Sequence, residues 1–176
     1  ALLTTTNASG QDMTQLLDGN AGTTTTHVVG SVERVKIKVL QVAMTAAENL
    51  DRIDRLVTKR TRVIALPHIT CTTGLVLPIK EIAAYARKRN IWSFFDGAHG
   101  PGMLFPDVAD IGCDFYASCG HKWLCGPAGT AFLYLRKGSM DAVTPIMVGA
   151  NSDSAWELTP ENQKITGFVD SAHRFE

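Results

Sequence analysis

The sequence predicts an α/β fold of three layers, a mainly parallel sheet with helices on both faces. Short apolar runs such as Arg62–Ile69, Ile91–Phe95 and Cys113–Ala117 have the length and continuity of strands buried on both sides. Segments with apolar residues at helical spacing alternate with these runs, and strand, helix, strand at this pitch gives right-handed crossovers between parallel neighbours. The residues with the most chemistry to offer fall just beyond the ends of the runs: Asn7, His68, Asp96 and the segment from Ser118 to Lys122. In open parallel sheets that carboxyl edge is where ligands bind.

The elements follow in order. Ala1–Thr6 is short, apolar and Thr-rich and reads as a first strand. It runs into Asn7-Ala8-Ser9-Gly10, a polar turn whose Asn or Ser caps a helix over Gln11–Leu17. The free amides of such a turn suit a phosphate; the plain reading is a helix cap with no ligand. Asp18–Thr26, rich in Gly, Asn and Thr, reads as a loop, and Val35–Val42 as a strand. Ala46–Lys59 places Leu50, Ile53, Leu56 and Val57 on one helical face. Pro78 stands at a helix start, and Ile79, Ile82, Ala83 and Ala86 carry the pattern toward Arg89-Asn90. Ile91–Phe95 is a buried strand ending at Asp96, and Pro106–Ile111 is a short turn of helix. Cys113–Ala117 and Gly129–Leu135 are two more strands around the Gly126-Pro127-Ala128-Gly129 loop. From Ser139 the pattern weakens to a short helix, a loop at Asn151-Ser152-Asp153 and an acidic, unperiodic tail.

Composition removes several function classes. The 176 residues, 45% of them hydrophobic, suffice for one domain with a sizeable core. Lys+Arg and Asp+Glu both number 17, so no field of one sign is available for nucleic acid or an anionic membrane, and neither partner is expected. Cys71, Cys113, Cys119 and Cys125 lie in or beside apolar segments without a C-x-x-C pair, which predicts reduced thiols and a cytoplasmic location. No run approaches the length of a membrane span, and no signal peptide is visible. The chain opens on Ala1 rather than Met and reads as a partial chain.

Two motifs carry the chemistry, Phe94-Phe95-Asp96-Gly97-Ala98-His99 and Ser118-Cys119-Gly120-His121-Lys122-Trp123. A carboxylate ending one buried strand and a lysine after the next match the needs of pyridoxal phosphate. The carboxylate keeps the pyridine nitrogen protonated, so that the ring withdraws electrons, while the amine condenses with the aldehyde carbon. A carboxylate paired in this way stays ionised even when partly buried, because the opposite charge offsets desolvation. Lys122 lies between the apolar Phe115-Tyr116-Ala117 and Trp123-Leu124, so desolvation is expected to favour its neutral, nucleophilic form. Released on exchange with an amino acid, the same amine would move the proton at the substrate's α-carbon. The plain alternatives are a solvated loop Asp, a surface Lys beside a structural Trp, and two satisfied histidines, His99 and His121. A metal cluster of His99, Cys119, His121 and Cys125 matches no zinc spacing, and no metal is expected.

Several spacings together resemble the class V aminotransferase family of pyridoxal phosphate enzymes, a group that includes cysteine desulfurases, selenocysteine lyases and isopenicillin N epimerase-like proteins. The matching run extends from Arg60 to Gly138 and includes His68-Ile69-Thr70, Thr73-Gly74, Asp96-Gly97-Ala98-His99, Cys113-Asp114-Phe115, Gly120-His121-Lys122-Trp123 and Gly126-Pro127-Ala128-Gly129. The resemblance implies a type I large domain with Lys122 as the Schiff-base lysine and Asp96 at the pyridine nitrogen. His99 falls near the cofactor's phenolic oxygen and His121 on its phosphate. Asn7, Ala8 and Ser9 resemble the family's phosphate-binding turn. Cys119 takes the place where many relatives have a phosphate-binding Ser, with Ser118 beside it. Cys71 stands where desulfurases carry an Asn near the phenolic oxygen. His27 is the candidate for the ring-stacking position, and Arg174-Phe175-Glu176 resembles the start of the family's Arg-Phe-Glu-x-Gly-Thr segment.

The resemblance further implies a homodimer, with residues 1–150 as a partial cofactor-binding large domain and 151–176 as a connecting segment toward a C-terminal small domain outside this chain. The expected function is labilisation of the Cα–H bond of an amino acid substrate, in the manner of an isopenicillin N epimerase-like or aminotransferase-like enzyme. Cys71 and His99 lean away from the first alternative, C–S bond cleavage of the desulfurase or selenocysteine lyase type, and none of the four cysteines is expected to carry a persulfide. The second alternative is a non-catalytic fragment that keeps the fold alone.

Overall fold

A computed structural model of the chain describes residues 2–5, 26–29, 33–143, 152–159 and 162–175. The strands are β1 (Leu2–Thr5), β2 (Thr26–Val29), β3 (Glu33–Leu40), β4 (Val63–Pro67), β5 (Trp92–Asp96), β6 (Phe115–Cys119), β7 (Ala131–Leu135), β8 (Asp153–Thr159) and β9 (Asn162–Phe168). The α-helices are α1 (Ala46–Leu56), α2 (Ile79–Arg87) and the short α3 (Val108–Ile111). Seven strands form one sheet in the order β2-β3-β1-β4-β5-β6-β7. The pairs β1–β3, β1–β4, β4–β5 and β5–β6 are parallel and β2–β3 is antiparallel. This is the mainly parallel sheet with interleaved helices that the apolar runs predict.

The helices form where periodicity and end signals coincide. Thr45 caps α1 by accepting from the Glu48 amide, and Ile53 is fully buried, with Leu50, Leu56 and Val57 packed against the same core. In α2 the buried residues are Ile79, Ile82, Ala83 and Ala86, the i, i+3, i+4, i+7 stripe seen in the sequence. Asp107 caps α3, and Gly112 ends it at φ 68°, a left-handed conformation that glycine adopts without steric cost. Ile64 and Leu66 of β4, Phe95 of β5 and Tyr116 of β6 join the helix residues in one core cluster.

Register decides where the polar residues go. Pro67, Asp96 and Ala117 form one row across β4, β5 and β6, so His68, Gly97 and Ser118 each begin the chain's exit from the same edge. The strand order reverses between β1 and β4, since β3 lies on one side of β1 and β4–β7 on the other. In open parallel sheets ligands bind beyond the carboxyl ends at such a switch point.

Asp114 ties β6 to β5 within the core. Its Oδ2 accepts from the Ser93 amide and the Ser93 hydroxyl, both at 2.9 Å, and its own amide donates to Ser93 Oγ at 3.1 Å. Both residues are buried, so these bonds replace what water would otherwise supply.

Two parts differ from the sequence reading. β2 pairs with β3 where a loop over Asp18–Thr26 gives way to weak signal, and the expected unperiodic tail contains the antiparallel pair β8–β9. An irregular register near Asp153 and Ala155 breaks the alternation by which a strand is recognised from sequence. The chain divides into two compact units, Ala1–Tyr134 and Leu135–Glu176. In the second, Arg174 donates to Val169 O and pairs with Asp141 at 3.1 Å. The expected turn at Asn7-Ala8-Ser9 and helix over Gln11–Leu17 lie outside the described residues, as does the side chain of His27 on β2.

Replacing Asp114 by Ala should destabilise the protein by about 2–4 kcal/mol, because the two bonds that its carboxylate accepts from the Ser93 amide and hydroxyl are lost in the core. Ser93→Ala should cost about 1–2 kcal/mol. Urea unfolding with a shared m-value checks both.

Candidate active site

The edge beyond β5 and β6 is built by a tight turn, a loop and the aromatic ring between them. After Asp96 the chain reverses through Gly97-Ala98-His99-Gly100, with the Gly100 amide bonded to Gly97 O at 2.8 Å. Asp96 Oδ1 accepts from the Ala98 amide at 2.8 Å, so the carboxylate braces the turn that it begins. Asp96 is exposed, and its second oxygen has no cationic partner among the described residues.

Tyr116 lies beneath this turn. A Cβ on Gly97 would collide with the Tyr116 ring, and one on Gly100 would meet the Tyr116 hydroxyl and His68 Nδ1, so both positions require glycine. The Tyr116 hydroxyl is 2.9 Å from His68 Nδ1, and the two rings meet edge to face. Burial pushes the Tyr116 phenol up to about 12, with smaller contributions from Cys113 and Asp96. The same burial lowers the His68 pKa from its ordinary value. The pair is therefore neutral at pH 7. His68 also links β4 to the turn through its amide, which donates to Asp96 O at 2.8 Å.

The loop after β6 closes on itself. The Gly120 amide bonds Thr130 O and the Gly126 amide bonds Gly120 O, both at 2.8 Å, while Thr130 Oγ1 donates to Pro127 O. Gly120 packs so closely on Thr130 that a side chain there would displace it. Held at this loop, Lys122 places Nζ 3.3 Å from His99 Nε2, and Trp123 donates from its indole nitrogen to His99 Nδ1 at 3.0 Å.

The structure thus brings Lys122, His99 and Trp123 together next to the turn that carries Asp96. Ser118 is buried and donates its hydroxyl proton to Gly97 O at 2.8 Å, so that proton is engaged in holding the turn. Cys119 contacts Ala98 O with its thiol. His121 is exposed on the same loop, and Cys71 is exposed at the turn after β4, where Thr70 and Thr73 bond each other. The expectation of a desolvated Lys122 is not met: Lys122 is exposed, and so are Trp123 and Leu124, because the loop carries them away from the core. Among the described residues no group of three His, Cys, Asp or Glu stands close enough to hold a metal.

Two features escape the sequence reading. Tyr116 reads as one apolar residue of a strand, although its place two residues before Ser118 puts it on the same face of β6. Trp123 reads as a structural neighbour of Lys122, and its bond to His99 depends on loop closure that spacing does not encode.

The family described as aminotransferase class-V matches residues 13–176. The chain belongs to the class V aminotransferase family. Among curated class V relatives, isopenicillin N epimerase of Streptomyces clavuligerus is 47% identical over 89 residues, covering 51% of this chain and 22% of the relative. The cysteine desulfurase of Haloferax volcanii is 28% identical over 151 residues, covering 82% of this chain and 35% of the relative. The matched stretch is thus well under half the length of either class V relative. Of solved structures, the cystine C-S lyase C-DES, in complex with its reaction product cysteine persulfide, is 26% identical with a TM-score of 0.71, covering 99% of this chain and 44% of that one. A C-DES variant with glycine covalently linked to its PLP cofactor superposes with the same TM-score of 0.71 at 24% identity.

Because burial disfavours the charged form of His68 in the fold, the unfolded chain takes up a proton as pH falls through its ordinary value of 6.5 before the folded chain does. This contribution to stability is full above that pH and is lost below it. Denaturant midpoints measured from about pH 7.5 to 5.5 should therefore fall, with a shallower fall in His68→Gln.

Proposed function

We propose that the full-length protein is a pyridoxal phosphate enzyme acting on an amino acid, with Lys122 as its Schiff-base lysine and Asp96 at the cofactor's ring nitrogen. The observation that carries this is the placement of Lys122, His99 and the unpaired Asp96 carboxylate at one carboxyl edge of a parallel sheet. The donor set fits the cofactor: an exposed carboxylate without a cation accepts a protonated pyridine nitrogen, and an exposed lysine reaches an aldehyde. Family membership and the PLP-linked glycine in the C-DES variant support the same cofactor. When bound, the cofactor supplies an electron sink for the bonds at the substrate's α-carbon.

This chain's residues do the rest. Asp96 holds the ring nitrogen's proton by its charge, and the Ala98 amide and the glycine turn fix where that charge sits. Lys122, as a free amine, would remove the proton from the α-carbon and return it. His99 would lie at the phenolic oxygen. His121 and Cys119 lie on the loop beside Lys122 and, with the Asn7-Ala8-Ser9 turn, are proposed for the phosphate. Ser118 contributes through its hold on Gly97 rather than by donating to an anion.

Epimerisation or transamination is the reading placed first, supported by the 47% identity to isopenicillin N epimerase over 89 residues. C–S bond cleavage is the alternative, supported by the likeness to cysteine desulfurase and to C-DES. A homodimer is supported by apolar side chains left exposed at Phe105, Met103, Trp123 and Leu124, the first of them 99% exposed. A cytoplasmic location is supported by four cysteines present as thiols. Among the described residues no helix is long and apolar enough to cross a membrane.

With pyridoxal phosphate added to the full-length protein, a visible absorption band should form. It should be absent in Lys122→Ala and weakened in Asp96→Ala. Exchange of the α-hydrogen of amino acids for deuterium should fall by about 10²–10⁴-fold in Lys122→Ala. An unchanged band in Lys122→Ala would refute the assignment.

A further inference from the structure

We infer that Trp123 is a positioning residue that sets the tautomer of His99 and so aims an Nε2–H donor at the Lys122 nitrogen. The inference rests on the reading of Lys122 given above and adds the residue that orients its neighbour. The indole nitrogen has a proton to give and no lone pair to receive one, so His99 Nδ1, 3.0 Å away, must be the acceptor. A neutral imidazole has one acceptor and one donor, and with Nδ1 accepting, the ring proton sits on Nε2. Nε2 faces Lys122 Nζ at 3.3 Å. An ammonium there would set donor against donor, whereas an amine offers its lone pair to Nε2–H. The bond Trp123 makes thus decides that the histidine meets the amine, the form that attacks an aldehyde, as a donor.

The remaining titratable groups nearby are engaged elsewhere. Asp96 bonds the Ala98 amide, Cys119 contacts Ala98 O, Cys125 contacts Trp123 O, and His68 and Tyr116 bond each other. His121 precedes Lys122 on the loop and makes no bond to either ring nitrogen of His99 among the described residues. A left-handed residue, Cys125 at φ 53°, and its amide bond to Lys122 O at 3.0 Å fix the turn that presents Lys122 and Trp123 to the same imidazole.

The test uses the cofactor-free, full-length protein and Trp123→Phe, which keeps an aromatic ring and removes the N–H. Selective ¹⁵N labelling of histidine should show wild-type His99 protonated at Nε2 and bare at Nδ1, with an indole proton resonance of Trp123 that moves when His99 is titrated. Mixing with pyridoxal phosphate, in which the amine nitrogen bonds the aldehyde carbon and one water leaves, should be slower in Trp123→Phe by about tenfold, the equivalent of one lost hydrogen bond. In Trp123→Phe the His99 nitrogens should lose their fixed pattern, with the ring proton shared between Nδ1 and Nε2. A wild-type His99 protonated at Nδ1 would overturn the inference, as would an unchanged nitrogen spectrum in Trp123→Phe or equal rates of condensation. If Trp123→Phe does not fold, the wild-type nitrogen spectrum alone decides. If pyridoxal phosphate fails to condense with wild type at all, the proposed function falls, while the nitrogen spectrum still tests the tautomer.

Discussion

The bond between Tyr116 and His68 under the Asp96 turn is the contact on which the rest of the site depends. It joins three consecutive parallel strands at their carboxyl ends: His68 follows β4, the glycine turn follows β5, and Tyr116 belongs to β6. Because the pair is buried and neutral, it costs little to desolvate and leaves no charge to compete with the Asp96 carboxylate above it. The two glycines let the turn lie directly on the ring. A side chain at either would lift the turn and with it both Asp96 and His99. The Ser93–Asp114 clamp at the opposite ends of β5 and β6 sets the register that brings Tyr116 under the turn.

Above this platform the site divides into a fixed part and an exposed part. Asp96 is fixed by the Ala98 amide and the packed turn. Lys122 and Trp123 reach His99 from a loop whose closure rests on Gly120, Gly126 and Thr130. This division matches the chemistry proposed, in which a carboxylate keeps one position while an amine must leave and return.

Much of this was legible in the sequence because it follows from local pattern. The buried stripe of α2 was readable from Ile79, Ile82, Ala83 and Ala86, and β4 to β6 from unbroken apolar runs that only a doubly covered strand tolerates. The edge carrying His68, Asp96 and Ser118 followed from parallel strands alone. What was not legible depends on contacts between distant residues. Apolar neighbours in sequence suggested a buried Lys122, but the loop turns them outward, so local composition misjudged its environment. The His99–Trp123 bond spans 24 positions and has no periodic signature. The β8–β9 pair was hidden by its irregular register.

The account stands most directly on where the cofactor attaches. Full-length protein loaded with pyridoxal phosphate, reduced with borohydride and digested, should yield one peptide bearing the added pyridoxyl phosphate, mapped by mass spectrometry to Lys122. Label on another lysine, or on none while the protein remains folded, would contradict the account.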